Sequence, residues 1–87
     1  MAQKKPNPKK LLNEARERVR IEEYRYALPL LKELDSLVDE KSEINYLFGL
    51  VYLNIDKRPE ALARLRDAKS SGEKFENINF YIARAYH

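Results

Sequence analysis

Two stretches of the chain resemble one another at a fixed separation. Residues 44–52, INYLFGLVY, recur 34 positions later as residues 78–86, INFYIARAY. The small residues Ala15, Gly49 and Ala83 are spaced by the same 34 positions. Self-similarity at a period of this size indicates a helical or other repeat architecture, and it takes precedence over local patterns. Other matches at this offset are Ile21 with Ile55, Ala27 with Ala61, Leu28 with Leu62, Leu31 with Leu65 and Tyr52 with Tyr86.

Apolar residues recur at helical spacing throughout the repeats, which predicts an all-α fold. We expect five helices, at about residues 8–21, 24–37, 42–54, 59–70 and 76–86. Asn7 and Ser42 are the expected N-caps of the first and third helices, and Gly72 is the expected left-handed stop of the fourth. Close approach of two helices requires short side chains, so we expect crossings at Ala15 with Ala27 and at Gly49 with Ala61.

The pattern within each unit resembles the tetratricopeptide repeat, whose signature is W-x2-L-G-x2-Y followed by A-x3-F and a closing P. Residues 45–52 follow it as N-x2-F-G-x2-Y and residues 61–65 as A-x3-L. Residues 79–86 follow it again as N-x2-I-A-x2-Y. The resemblance implies an α-solenoid of antiparallel helix pairs. Its repeats would span residues 8–41 and 42–75, with a half repeat at 76–87 and a basic leader, expected to be disordered, at 1–7.

The half repeat lacks the second helix of its pair. The sequence alone leaves two explanations open. Either the chain is a piece of a longer protein, or the fifth helix serves as a terminal cap.

The positive charge is concentrated at the start of the chain. Lys4, Lys5, Lys9 and Lys10 lie among the first ten residues without an acidic residue. Removing these four from the 17 basic residues leaves 13 against 14 acidic ones. A near-neutral body of this kind gives little electrostatic reason to bind nucleic acid. No run of 18 apolar residues is present, so the sequence predicts no membrane insertion.

The residue inventory gives little support for catalysis. The chain has no cysteine and a single histidine, His87, so nucleophile–base pairs and histidine metal clusters are not predicted. No glycine-rich phosphate loop is present, and the carboxylates alternate with arginines as on a solvated helix face. We expect no enzymatic activity, no cofactor and no metal site.

The resemblance to the tetratricopeptide family implies that the first helix of each pair lines a concave groove, which would bind a peptide or a partner domain. Aromatic side chains beside arginines suit a ligand with apolar anchors and some negative charge. Alternatively, several of these residues pack against a neighbouring repeat or domain. The groove residues that the alignment implies are Leu12, Arg16, Val19, Arg20, Tyr46, Leu50, Leu53, Asn54, Asn77, Phe80, Tyr81, Arg84 and His87.

One specialisation of the family, the carboxylate clamp for chaperone tails, is not supported by the residues at the matching places. Those places hold Leu12, Arg16, Leu47, Asn77 and Tyr81, where the clamp would use lysine, arginine and asparagine. Only two of the five are polar, so we do not expect a receptor for chaperone tails.

A weaker resemblance concerns residues 80–87, FYIARAYH, which are similar to repeat segments of bacterial envelope proteins. In those proteins the repeats precede a β-propeller and an OmpA-like peptidoglycan-binding domain. The sequence leaves open a cytoplasmic or a periplasmic, envelope-associated location.

Two functions follow from the sequence. The first is a peptide-binding adaptor that uses the groove of helices one, three and five. The second is a structural spacer or assembly element, which packs through its terminal helix or self-associates there to form a homo-oligomer.

Proline at position 29 supplies a test of the second helix. A proline inside a helix removes a hydrogen bond and costs up to about 3 kcal/mol, and we expect it to kink the helix. We therefore expect Pro29→Ala to raise the melting temperature in a thermal unfolding experiment followed by circular dichroism. A lower melting temperature would mean that packing requires the bend.

Overall fold

The computed structural model describes residues 7–86, which form an all-helical fold. Its five helices are α1 (Pro8–Arg20), α2 (Tyr24–Leu37), α3 (Ser42–Asn54), α4 (Arg58–Ser70) and α5 (Ile78–Tyr86). Helix α2 runs through Pro29, whose side chain is exposed. Residues 1–6 of the expected leader and His87 lie outside the described residues.

The helix ends follow the predictions in part. The Asn7 side chain accepts a hydrogen bond of 3.0 Å from the Lys9 amide, which confirms Asn7 as the N-cap of α1. Gly72 has φ +85°, which confirms the left-handed stop after α4. The cap predicted at Ser42 is wrong, because Ser42 is already helical and Lys41 stands at the N-cap. Helix α5 begins two residues later than predicted, because Asn77 has φ +58°.

The 34-residue period recurs in the backbone of two turns, after α1 and after α3. Glu22 and Asp56 both have φ +63°, and each turn is closed by a 2.8 Å hydrogen bond across five residues. The bonds run from the Glu23 amide to the Arg18 carbonyl and from the Lys57 amide to the Tyr52 carbonyl. This six-to-one bond is that of the Schellman motif, which most often has glycine at the left-handed position.

Helix α3 lies at the centre of the fold, where it contacts each of the other four helices. Its most extensive contacts are with α4, and α1 pairs similarly with α2. The largest core cluster includes Ala15, Leu31, Phe48 and Val51, none more than 1% exposed. Two smaller clusters join α4 to α5.

A cluster of polar side chains on one side of the fold links α2, α3 and α4. The Arg64 guanidinium donates to the Asn45 side chain at 2.8 Å and lies 4.1 Å from the centre of the Phe48 ring. It also contacts the Asp35 carboxylate at 3.4 Å, and Lys41 contacts the same carboxylate. Burial would raise the pKa of Asp35, but the hydrogen bonds and charges of Arg64 and Lys41 outweigh it and lower that pKa.

The absence of a side chain at Gly49 allows α3 and α4 to approach. A Cβ atom at this position would lie 2.4 Å from both Cγ and Cδ2 of Leu65, which is fully buried. The closest partner of Gly49 is therefore Leu65, one turn beyond the expected Ala61. Glycine costs about 1 kcal/mol within a helix relative to alanine, and the close approach explains its presence here.

We expect Gly49→Ala to lower the free energy of unfolding in urea, because overpacking of about 1–3 kcal/mol exceeds the gain in helix propensity. In a Leu65→Ala background the clash is gone, and the same substitution should be stabilising by about 1 kcal/mol. If Gly49→Ala had the same effect in both backgrounds, contact with Leu65 would not be the reason for the glycine.

Candidate functional site

The predicted groove residues fall into sets related by the 34-residue offset along α1, α3 and α5. Leu12, Tyr46 and Phe80 form one set, and Arg16, Leu50 and Arg84 form another. Helix α3, which carries the middle member of each set, packs beside both α1 and α5. Five members of the whole predicted group are half-buried, namely Leu12, Val19, Tyr46, Leu50 and Tyr81. Six are exposed, namely Arg16, Arg20, Asn54, Asn77, Phe80 and Arg84.

Among the predicted groove residues that the structure describes, only Leu53 is buried. It is 8% exposed and forms a small core cluster with Ala61 and Ala85. Its counterpart Val19 on α1 remains half-buried, although α3 packs beside α1 as α5 packs beside α3. A repeat alignment treats both positions alike and does not predict this difference.

The two groove arginines of α1 are already engaged in ion pairs. Arg16 makes a bidentate contact with Glu43, with both nitrogen–oxygen distances at 2.5 Å. These hydrogen bonds raise the pKa of the Arg16 guanidinium. Arg20 is paired with Glu17 on its own helix. Neither guanidinium is therefore ready to bind a ligand without giving up a carboxylate partner.

Tyr46 is held by contacts within the chain. Its ring stacks on Phe75 with centroids 4.7 Å apart, and Tyr81 lies tilted at 6.4 Å. Its hydroxyl donates to the Glu76 carbonyl at 2.6 Å. These contacts fix the loop between α4 and α5 against α3, so Tyr46 has a structural role. Burial raises its pKa to about 12, with smaller contributions from Tyr81 and Glu76.

Asn54 is likewise committed to its own helix, because its amide donates to the Leu50 carbonyl at 2.7 Å. Asn77 occupies the left-handed position that starts α5. Both predicted binding residues thus lie at helix ends, Asn54 as the last residue of α3 and Asn77 immediately before α5.

Phe80 and Arg84 are the two exposed residues of the predicted groove to which no structural role is assigned above. They lie one helical turn apart on α5, and Phe80 is 60% exposed with only an edge contact to Tyr81. Within residues 7–86, no ion pair involves Arg84. Burial raises the pKa of Tyr24, followed by the charge of Glu22, while Arg84 opposes that shift. Arg84 therefore acts electrostatically toward the start of α2. We call Phe80 and Arg84 the groove strip.

A second strip on α5 consists of Asn79, Ala83 and Tyr86, all exposed. The counterparts of Ala83 and its neighbour Ile82 are Gly49, against which Leu65 of α4 packs, and Phe48, which lies in the main core cluster beneath Arg64 of α4. No such helix covers α5 in the described part of the chain, so Ala83 is exposed and Ile82 is half-buried. We call Asn79, Ala83 and Tyr86 the open strip.

A cavity of about 280 Å³ lies elsewhere, where α1 and α3 begin. Among the predicted groove residues it includes only Leu12. The glutamates at its rim were not predicted as site residues, because they lie in separate loops and in the first turn of α3. Its lining residues are Pro8, Lys9, Leu12, Leu34, Val38, Glu40, Ser42, Glu43, Ile44 and Glu73.

Residues 7–86 contain no cluster of three histidine, cysteine or carboxylate side chains that could hold a metal ion. No helix within this range is long and apolar enough to cross a bilayer. In comparisons with known proteins, the chain matches no protein-family model, no curated protein and no solved structure.

The raised pKa of Tyr46 predicts a loss of stability at alkaline pH. Unfolded tyrosine loses its proton near pH 10, whereas folded Tyr46 retains it to about pH 12, so the folded state binds this proton more tightly. The contribution is complete below pH 10 and is lost as the pH rises from 10 to about 12. We expect Tyr46→Phe to reduce this loss and to cost about 1 kcal/mol at neutral pH through the missing hydrogen bond.

Urea titrations across this pH range measure both effects. Tyr26→Phe is the matched control, because it removes the same hydroxyl from a side chain that is 66% exposed. An unchanged alkaline slope in Tyr46→Phe would contradict the assignment.

Proposed function

We propose that this chain is a non-catalytic protein–protein interaction module that binds its partner mainly through α5. The main support is the amount of apolar surface on this nine-residue helix. Phe80 is 60% exposed and Tyr86 is 58% exposed. Exposed aromatic side chains on a fixed helix are typical anchors of protein interfaces. The repeated left-handed turns at Glu22 and Asp56 support a helical repeat of the tetratricopeptide type.

The groove strip favours a peptide with an apolar anchor and a negative charge. Phe80 offers an aromatic surface, and the guanidinium of Arg84 one turn away, which has no ion pair within residues 7–86, can bind a carboxylate in a bidentate manner. Leu50 on α3 adds half-buried apolar surface at the position equivalent to Arg84. In this proposal the binding surface is smaller than the predicted groove, because Arg16, Tyr46, Leu53 and Asn54 are engaged within the chain.

The open strip favours the alternative function of a spacer or assembly element. Its counterpart on α3 is covered by α4, so a helix of similar character would fit against α5. Such a helix would come from a second copy or from another domain. This interaction would use Ala83 as the point of close approach, as Gly49 is used within the chain.

Variants on the two strips separate these functions. The parent chain is used in a peptide-display selection and in light scattering over a range of concentrations. Phe80→Ser with Arg84→Glu should abolish the enriched motif, and Phe80→Ser alone should weaken a selected peptide about tenfold or more. Ala83→Arg should leave peptide binding intact.

Ala63→Arg is the matched control for charge, because Ala63 is exposed on α4. Loss of oligomers in Ala83→Arg but not in Ala63→Arg would assign the function to the open strip. Failure of the parent to select a peptide or to associate, with its helical circular dichroism intact, would contradict the proposal for α5.

A further inference from the structure

The cavity at the start of α1 and α3 combines an apolar floor with an acidic rim. Leu34 and Ile44, which form the floor, are 1% and 3% exposed and belong to the main core cluster. Leu12 and Val38 pack against the same cluster and are half-buried. The opening thus leads directly to core side chains, which would gain apolar contact from any group that entered.

The three glutamates of the rim are not equivalent. The charge of Glu43 is balanced by its bidentate contact with Arg16. Glu40 and Glu73 both accept from the Ser42 hydroxyl, at 3.4 and 2.9 Å. A serine hydroxyl has a single proton and can donate fully to only one of them. Within residues 7–86, these two carboxylates have no cationic partner in an ion pair.

Different local structures bring the carboxylates of Glu40 and Glu73 to the Ser42 hydroxyl. Glu73 follows the left-handed Gly72, and its amide donates to the Ser71 side chain at 3.2 Å. Glu40 immediately precedes Lys41, the N-cap of α3, and that helix end has no side-chain capping bond. The carboxylates are therefore not used to cap α3. Two like charges that converge on one donor would be stabilised by a cation between them.

We propose that this cavity binds a short segment of a partner protein in which a lysine or arginine lies beside a leucine-sized apolar residue. The apolar side chain would occupy the floor, and the cationic group would donate to Glu40 and Glu73. With Glu43 balanced by Arg16, two carboxylates face a single lysine, Lys9, among the lining residues, so the rim is complementary to positive charge. At about 280 Å³ the cavity lies just below the range of roughly 300–1,000 Å³ usual for small-molecule sites, which fits a single side chain.

This site is independent of the proposed role of α5. The cavity has no lining residue in common with the groove strip or the open strip. It also prefers the opposite charge, since the groove strip presents an arginine. Each binding surface can therefore be removed without changing the side chains of the other.

The test is a fluorescence anisotropy titration of the full chain with a labelled peptide that carries one leucine between lysines. Two further probes replace the leucine by alanine or the lysines by glutamates. We expect saturable binding of the first probe only, weakened by added salt. Glu40→Gln with Glu73→Gln preserves shape and hydrogen bonding, and should weaken binding about fivefold through loss of charge.

The matched control is Glu33→Gln with Glu60→Gln, which removes the same charge from exposed positions on α2 and α4. Phe80→Ser should also bind the probe normally, whether or not α5 is a docking surface. Equal weakening by the cavity and control variants would show non-specific attraction and overturn the proposal. So would an alanine probe that binds as well as the leucine probe, or the absence of saturable binding.

The chain's own basic leader is the alternative occupant. Lys4→Gln with Lys5→Gln removes its charge and should leave the affinity for the probe unchanged. A clear increase in affinity would show that the leader competes for the cavity, and this would overturn the assignment to a partner protein.

Discussion

The fold depends on the burial of α3 against all four other helices. A helix with partners on so many sides needs apolar side chains around most of its circumference, and Phe48, Val51 and Leu53 supply them on different faces. Gly49 allows Leu65 of α4 to approach closely, and the half-buried Arg64 lies over the ring of Phe48 beside it. Each of the other four described helices packs directly against α3.

The apolar pattern of α3 recurs in α5, but fewer of the described helices pack around α5. Among the described helices, α5 contacts only α3 and α4, whereas α3 contacts four. Positions that are core in α3 are therefore partly open in α5, as Phe48 and Ile82 show. The open strip follows from the repeat itself and requires no special sequence. The groove strip, in contrast, depends on a sequence difference between the repeats, because Arg84 of α5 stands where α3 has the apolar Leu50.

Local patterns predicted the helices well because apolar spacing and capping residues act over one or two turns. Asn7 and Gly72 were identified from residue type and neighbouring sequence alone. The left-handed Glu22 and Asp56 were not, because neither is glycine and only the closed turn reveals the conformation. The late start of α5 was also not predicted, because the left-handed conformation of Asn77 is not evident from its residue type.

The candidate site was predicted less well, because its availability depends on contacts between distant residues. Arg16 meets Glu43 across 27 positions, and Tyr46 meets Glu76 across 30. A repeat alignment places these side chains on one surface but does not show that they are already bonded. The acidic cavity was missed for a similar reason, since Glu40 and Glu73 come together only when two loops meet at Ser42.

The cavity also differs from the groove in its relation to stability. Elsewhere the core is closely packed, with Ala15, Ala27 and Leu31 fully buried, whereas Leu34 and Ile44 border an open space. A void beside core side chains forgoes dispersion contacts and lowers stability. The two carboxylates on Ser42 add a repulsion that the fold does not require, since glutamine could make the same hydrogen bond. Both features lower stability at the same place, and an apolar, cationic ligand would relieve both.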